Sequence, residues 1–200
     1  MYMNPRPGMP MDNMDEQNEL IKASQQGDRT ALSRLVDLHA QELFGFLLYL
    51  CGNRTQAEDL VQETFLRALQ ALKHYQFRAP FRAWLFRIAV NLHHDERRRR
   101  QVRKPAEYDV ADEENLHLFT ADPGPDMLAE RSEQVQALHQ ALTLLPRQLR
   151  LVVVMRDLQE MSYAEIGLAL GWRPGTVKSR LFRARQELAA HLRPLWEEQE

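Results

Sequence analysis

The chain has 200 residues, of which 44% are hydrophobic and 27% are charged, and its formal net charge is −2. This length and composition suffice for real hydrophobic cores in one or two domains. The single cysteine excludes an internal disulfide and a zinc site built from cysteines, and no apolar run approaches the roughly 18 residues of a membrane span.

The N-terminal segment, residues 1–14, is rich in Met, Pro and Asn and is predicted to be disordered. It lacks the apolar stretch of a signal peptide, so we expect a cytoplasmic protein. Strand-like alternation is hard to find in the rest of the chain, which predicts an all-α fold. A short helix is predicted over 15–26, ended by Gly27, and Asp28 caps a longer helix that runs to about Leu50.

A further helix is predicted over 56–72, where Thr55 followed three residues later by Glu58 forms a capping box. Acids in its first turns are stabilised by the helix dipole by roughly 0.3–1 kcal/mol each, which is a purely structural explanation for them. That explanation does not account for the glutamine between them, so an acidic docking surface is an alternative interpretation of the cluster. The polar residues of this cluster are Glu58, Asp59, Gln62 and Glu63.

The next loop, residues 74–80, holds two aromatic side chains and a cation, and Pro80 begins a helix that ends in a run of arginines. Aromatic rings beside cations suit single-stranded nucleic acid, because base stacking contributes about 1–3 kcal/mol per base while cations follow the phosphates. Phe81 and Trp84 have core spacing and are assigned to the core. The candidate nucleic-acid contacts are Tyr75, Gln76, Phe77, Arg78, Asn91, Arg97 and Arg98.

His93 and His94 are adjacent in this helix and could suggest a metal site. Adjacent helical residues point about 100° apart, and no ligand-type residue four positions away completes a site, so no metal site is predicted. Paired carboxylates and His/Cys clusters at catalytic spacing are also lacking, so we predict neither catalytic residues nor a cofactor.

A sharp segregation of charge follows. Residues 97–104 hold six Lys or Arg, whereas residues 105–130 hold eight Asp or Glu and no cation. Residues 105–125 are therefore predicted to be a flexible acidic linker. Helices are predicted beyond it over 126–145 and 147–158, and the run LVVVM in the second of these is expected to centre a second core.

A helix-turn-helix is predicted over 162–192. Ser162 and Glu165 form a capping box, Gly171 stands where the turn needs a positive φ, and Pro174 suits the first turn of the next helix. The apolar side of the first helix is predicted to consist of Ile166, Leu168 and Leu170. A narrow apolar stripe along the second helix consists of Val177, Leu181, Ala184, Leu188 and Leu192.

The side opposite this stripe is cationic and rich in hydrogen-bonding groups, a form that fits the DNA major groove. A solvated basic helix is the plainer alternative. Because the cap, the glycine turn and the polarised helix occur together, DNA recognition is favoured.

These elements resemble the extracytoplasmic-function sigma factors of the sigma-70 family over about residues 15–100 and 126–192. The matching motifs are AEDLVQETFLRAL, FRAWLFRIAVNLHHDERRRR, LLP, SYAEIGLALG and GTVKSRLFRAR. The resemblance implies a promoter-specificity subunit of bacterial RNA polymerase with no catalytic chemistry of its own. It implies two small helical domains, a region 2 bundle over 15–104 and a region 4 helix-turn-helix domain over 126–195.

The resemblance also assigns roles to residues. Asp59, Gln62 and Glu63 would dock on the clamp of the polymerase β′ subunit, and the second domain would meet the β flap. The loop after residue 74 and the helix that follows would capture an unstacked base of the −10 element, with Asn91 contacting the base and the arginines holding phosphates. The second helix of the motif would bind the −35 element with Thr176, Lys178, Ser179, Arg180, Phe182 and Arg183. Of these, Lys178, Ser179, Phe182 and Arg183 match the base-facing positions, whereas Arg180, together with Arg185, would hold the DNA backbone.

The implied partners are core RNA polymerase, promoter DNA and an anti-sigma protein. The linker is then either a solvated spacer or a segment that threads the cationic cleft of the polymerase. Three positions depart from the family pattern: Phe77-Arg78 replaces Gly-Asp, Arg173 replaces a polar cap, and Gly167 replaces Ala. The alternative function, a stand-alone helix-turn-helix regulator, leaves the aromatic and basic unit over 75–100 unexplained.

Overall fold

A computed structural model describes residues 11–103 and 127–197, and all regular secondary structure in these two ranges is helical. The all-α prediction is therefore confirmed. The predicted linker and residues 1–10 of the predicted tail lie outside the described residues. The helices are α1 Met11–Gln25, α2 Arg29–Cys51, α3 Arg54–Leu72, α4 Phe81–Arg103, α5 Met127–Leu144, α6 Arg147–Val153, α7 Tyr163–Leu170 and α8 Pro174–Glu197.

Two helix starts differ from prediction. Helix α1 begins at Met11, before the predicted start at residue 15. The capping box predicted at Thr55 and Glu58 is wrong: Asn53 is the cap of α3, and its Oδ1 accepts the N–H of Gln56 at 2.9 Å. Asparagine caps a helix at least as well as threonine, and the earlier start leaves Glu58 to pair with Arg54 instead.

Helices α1–α4 form what we call the first bundle. Its centre is made by residues of α2 and α4 that are fully buried, and the rings of Phe46 and Phe86 lie 4.8 Å apart there. The predicted cap of α2 is confirmed, because Asp28 Oδ1 accepts the N–H groups of Thr30 and Ala31 at 2.8 and 3.1 Å.

Helices α5–α8 form the second bundle. Helix α6 continues as a π-helical turn, Val154–Leu158, and all five residues of the LVVVM run are buried. The second core expected around this run is not separate, because it is continuous with the core of the first bundle. In α7 the prediction for Leu168 is wrong, since 45% of its surface is exposed. Ile166 and Ala169 face the core, and a residue two positions after Ile166 points about 200° away from it around the helix axis.

The two bundles pack against each other. Helix α4 lies directly against α7, while α2 touches α5 and the π-helical turn, and one continuous apolar core includes residues of both bundles. Helix α4 is consequently buried on more sides than its pattern predicted. Its additional buried residues are Arg82, Ala83, Phe86, Ala89, Val90 and His93.

Arg82 joins three segments at this junction. Its charge and its position outside the apolar spacing of α4 predict a side chain on the outer side of the helix, but only 3% of its surface is exposed. Its guanidinium pairs with Glu42 of α2 and donates to the backbone carbonyl of Gln159 in the second bundle. The prediction was wrong because α4 has packing partners on both sides, and the second partner is remote in sequence.

A close backbone approach fixes the end of α7. A Cβ atom added at Gly167 would lie 2.7 Å from the carbonyl oxygen of Trp172, whose N–H donates to the Gly167 carbonyl at 2.9 Å. We expect Gly167→Ala to lower the free energy of unfolding by about 1–3 kcal/mol through overpacking, although alanine is the better helix former. Urea unfolding measures this loss.

Gly175 provides the matched control, since it lies in the first turn of α8 and nothing is within 4 Å of an added Cβ. Gly175→Ala should leave stability unchanged or slightly improved. A Gly167→Ala protein as stable as Gly175→Ala would contradict the close approach.

Candidate nucleic-acid interface

The helix-turn-helix is built as its sequence predicts. The Ser162 hydroxyl accepts the N–H of Glu165 at 3.2 Å, and the Glu165 carboxylate accepts the N–H of Ser162 at 2.9 Å, which completes the capping box. Gly171 ends α7 with a φ of 69°, and α8 begins at Pro174. These local bonds orient α8 relative to α7.

Helix α8 buries its apolar stripe and presents its polar side to water. Val177, Leu181 and Ala184 are at most 2% exposed, whereas Leu188 and Leu192 at the other end of the predicted stripe are only half-buried. On the other side Phe182 is 63% exposed, which is unusual for a large apolar ring. The remaining predicted −35 contacts divide into the exposed Lys178, Ser179 and Arg183 and the half-buried Thr176 and Arg180.

Two arginines of α8 are held by neighbours. The guanidinium of Arg180 lies 3.9 Å from the centre of the Trp172 ring, in a cation–π contact that limits its motion. Arg185 forms an ion pair with Asp157 at 3.0 and 2.5 Å, and this hydrogen bonding raises the pKa of its guanidinium. Arg185 was expected to contact the DNA backbone, but in this structure it ties α8 to the π-helical turn.

Tyr75 anchors the loop between α3 and α4. Only 7% of its surface is exposed, and its hydroxyl donates to the carbonyl of Ala79 at 2.6 Å. Its ring packs against those of Phe77, Phe81 and Trp84 at centroid distances of 5.1–5.6 Å, and burial raises its pKa to about 12. Tyr75 therefore shapes the loop and is not presented to a base in this conformation.

Phe77 is the loop aromatic that reaches solvent, with 41% of its surface exposed. Gln76 and Arg78 on either side of it are also exposed. Further along α4, Asn91 and Arg98 are exposed and Arg97 is half-buried. The first bundle thus carries an aromatic ring, an amide and cations, the groups that single-stranded nucleic acid requires.

The acidic cluster on α3 is open to solvent. Asp59 and Gln62 are exposed, while the half-exposed Glu63 pairs with Arg67 at 2.8 Å and Glu58 pairs with Arg54 at 2.8 Å. These intrahelical pairs take up part of the negative charge. Asp59 and Gln62 remain the side chains most open to a partner.

His93 is buried at the junction of the bundles, and its Nδ1 lies 3.6 Å from the sulfur of the half-buried Cys51. Burial, together with the nearby charge of Arg147, lowers the pKa of His93 to about 3. Within the described ranges, no group of three His, Cys, Asp or Glu residues is placed to hold a metal ion. No described helix is both long and apolar enough to cross a bilayer.

Two family models match this chain. Residues 35–103 match the model for sigma-70 region 2, and residues 135–188 match the model for sigma-70 region 4. The first range covers the acidic cluster, the loop after α3 and helix α4. The second range covers the helix-turn-helix.

Similar proteins come from several bacteria. The chain is 39% identical over 173 residues to the ECF RNA polymerase sigma factor SigE of Mycolicibacterium smegmatis, covering 83% of this chain and 64% of that longer relative. It is 32% identical to the ECF RNA polymerase sigma factor SigW of Bacillus subtilis, covering 88% of this chain and 96% of SigW. It is 30% identical to the RNA polymerase sigma-H factor of Pseudomonas aeruginosa, covering 94% of this chain and all of that protein.

Solved structures give the same result. The structure of CnrH in complex with the cytosolic domain of CnrY aligns with a TM-score of 0.68 at 27% identity, over 90% of this chain and 99% of that one. The sigma factor RpoE in complex with the anti-sigma factor NepR from Bartonella quintana aligns with a TM-score of 0.65 at 25% identity, over 80% of this chain and 96% of that one.

Proposed function

This chain belongs to the extracytoplasmic-function group of the sigma-70 family, and from that premise we propose how its surfaces divide the work of promoter recognition. It is a sigma factor, which binds core RNA polymerase and directs it to promoters for transcription initiation. The observation that carries the division is that the two nucleic-acid surfaces differ in chemistry. The outer face of α8 suits paired DNA, whereas the loop after α3 suits an opened strand.

The first bundle is proposed to hold the −10 element. Phe77 stacks on an unpaired base, Gln76 and Asn91 bond to base edges, and Arg78 follows the backbone together with Arg97 and Arg98. Tyr75 does not contact the DNA itself; it fixes the conformation of the loop that carries Phe77. This proposal is supported by the exposure of Phe77 and by the burial of Tyr75.

The outer face of α8 is proposed to read the −35 element. Lys178 and Arg183 donate to guanine, and Phe182 contacts a thymine methyl group. Thr176 and Ser179 supply hydroxyls at the same face, while Arg180, held by Trp172, positions the backbone.

We expect Lys178→Ala and Arg183→Ala each to lose about 1–3 kcal/mol of discrimination between a matched and a mismatched −35 sequence. The measurement is binding of the polymerase holoenzyme to the two promoters. Arg193→Ala removes an exposed arginine further along α8 and serves as the control. Equal losses on both promoters would contradict the base-reading roles.

Asp59 is proposed to dock with Gln62 and Glu63 on the clamp of the β′ subunit, while the second bundle meets the β flap. We expect Asp59→Arg to weaken binding to core polymerase by at least tenfold, because it sets a like charge against a basic partner. Asp37→Arg is the matched control, since Asp37 is also exposed but lies on α2. Equal effects of the two reversals in a fluorescence binding titration would contradict a specific surface.

Membership in this family supports three further proposed properties of the protein. The protein performs no catalysis, because nucleotide transfer belongs to the polymerase. It acts in the cytoplasm, where polymerase and promoters are. It is held inactive by an anti-sigma protein, a proposal supported by RpoE, which was solved with the anti-sigma factor NepR.

Transcription in vitro tests the function as a whole. Core polymerase with this protein should initiate at specific promoters of a genomic library, and core polymerase alone should not. The stand-alone regulator predicts specific gel-shift binding by the isolated protein without polymerase. If the isolated protein bound DNA specifically and polymerase with this protein initiated at no promoter, the stand-alone regulator would be favoured over the sigma factor.

A further inference from the structure

A cationic cavity lies where the two bundles meet. Its volume is about 530 Å³, and it is lined by His94, Asp95, Arg97 and Arg98 of α4 and by Arg147 of α6. Three guanidinium groups therefore face one carboxylate across a space as large as many small-ligand sites, which measure roughly 300–1,000 Å³. Because the walls come from both bundles, the cavity exists only while the bundles are packed together.

The charge of this cavity is not balanced within the described residues. Nε and Nη2 of Arg147 are closed off from water and have no hydrogen-bond partner there, and the same holds for Nε of Arg150, which lies three residues further along α6. Buried N–H groups of a cation without an acceptor are costly. Burial and the neighbouring Arg97 lower the pKa of both Arg147 and Arg150, and burial followed by Arg147 lowers that of His94. An anion in the cavity would accept hydrogen bonds from Arg147 and would offset the positive charge gathered there.

We propose that this cavity binds an oligophosphate group, either inorganic or carried by a nucleotide. Guanidinium groups recognise phosphate oxygens through paired, charge-assisted hydrogen bonds, and a chain of phosphates offers enough oxygens for arginines on both helices.

Binding here regulates the sigma factor, a step that rests on the proposed function. The ligand needs α4 and α6 together, so by linkage it stabilises the packed arrangement of the bundles. It also occupies Arg97 and Arg98, which the promoter requires. An oligophosphate therefore acts against promoter binding, and promoter binding acts against the oligophosphate.

The test is calorimetric titration of the full chain with inorganic tripolyphosphate at low salt. We expect one saturable site, and Arg147→Gln should weaken it at least tenfold. Arg67→Gln is the matched control, because it removes a guanidinium from α3 that pairs with Glu63 and does not line the cavity. It should change the affinity less than twofold.

A second titration with ATP separates the two sources of the ligand. Equal affinity for ATP and tripolyphosphate assigns the site to phosphate alone, and tighter ATP binding assigns it to a nucleotide. Several sites weakened equally by Arg147→Gln and Arg67→Gln would overturn the proposal, since they would reflect net charge. Absence of binding, as expected if acids of the chain itself fill the cavity, would overturn it too.

Transcription distinguishes this failure from failure of the proposed function. At constant free Mg²⁺ and without ligand, Arg147→Gln should initiate as the unaltered protein does, and it should resist inhibition by tripolyphosphate. If the unaltered chain binds no tripolyphosphate but still initiates, only the site is overturned. Thermal unfolding of Arg147→Gln and Arg147→Met checks that the fold survives the change.

Discussion

Replacing Arg82 with methionine should lower the free energy of unfolding by about 3–5 kcal/mol, because it breaks a buried ion pair at one partner. Arg82 is 3% exposed, and it pairs with Glu42 and donates to the carbonyl of Gln159. The methionine fills a similar volume but leaves the carboxylate and the carbonyl without this donor. Since Gln159 belongs to the second bundle, the loss also loosens the packing between bundles.

Urea unfolding of a double-mutant cycle measures this effect. Glu42→Gln removes the charge left behind, so the double variant should be closer to the unaltered protein than Arg82→Met alone. Arg82→Lys should be intermediate, because lysine keeps the charge but not the planar fork. Arg87→Met, at an exposed position of the same helix, is the control. If Arg82→Met costs no more than Arg87→Met, the pair does not join the bundles.

Acid should destabilise the protein through His93. Its pKa is about 3 in the folded chain against an ordinary 6.5, so between these values the unfolded state binds the proton and the folded state does not. The stabilisation is therefore complete above pH 6.5 and is lost progressively as the pH falls towards 3. From pH 6.5 to 5 the expected loss is about 2 kcal/mol. Burial lowers the pKa of His94 and His139 as well, which acts in the same direction.

The measurement is the free energy of unfolding at pH 7, 6 and 5. His93→Gln cannot titrate, so its stability should fall less steeply over this range than that of the unaltered chain. The difference between the two slopes isolates His93 from the carboxylates, which both proteins share. Parallel slopes would mean that the pKa of His93 is not lowered in the folded state.

Local signals in the sequence predicted much of the second bundle. The capping box of Ser162 and Glu165, the turn at Gly171 and the buried stripe of α8 all depend on residues within a few positions of one another. Interactions between residues close in sequence decide these features, so the features can be predicted from sequence alone. The same holds for the cap at Asp28.

Features that depend on distant partners were missed. The position of Arg82 on α4 predicts a solvent-exposed side chain. It is buried because the second bundle packs against that side of the helix. Gly167 reads as a weak helix residue, whereas its missing Cβ is what admits the carbonyl of Trp172. Both Asn53 and Thr55 are residue types that cap helices, and a local sequence pattern does not show which of the two caps α3.

The candidate site divides in the same way. The exposed face of α8 was predicted from helical periodicity alone. The loop after α3 was located, but which of its aromatic rings is buried depends on Phe81 and Trp84, so Tyr75 and Phe77 could not be distinguished. The cationic cavity was missed because Arg98 and Arg147 are far apart in the chain, and no spacing rule joins them.

The exposure of Phe182 bears on how the promoter complex responds to salt and temperature. Contacts from Lys178 and Arg183 weaken as ionic strength rises, because counterions compete for the phosphates and bases. The ring of Phe182 leaves water only when DNA arrives, so its contribution survives high salt and gives association a negative heat-capacity change. Phe182→Ala should therefore lower the affinity by a similar factor at every salt concentration, with the slope of log affinity against log salt unchanged. It should also make the heat-capacity change of binding less negative.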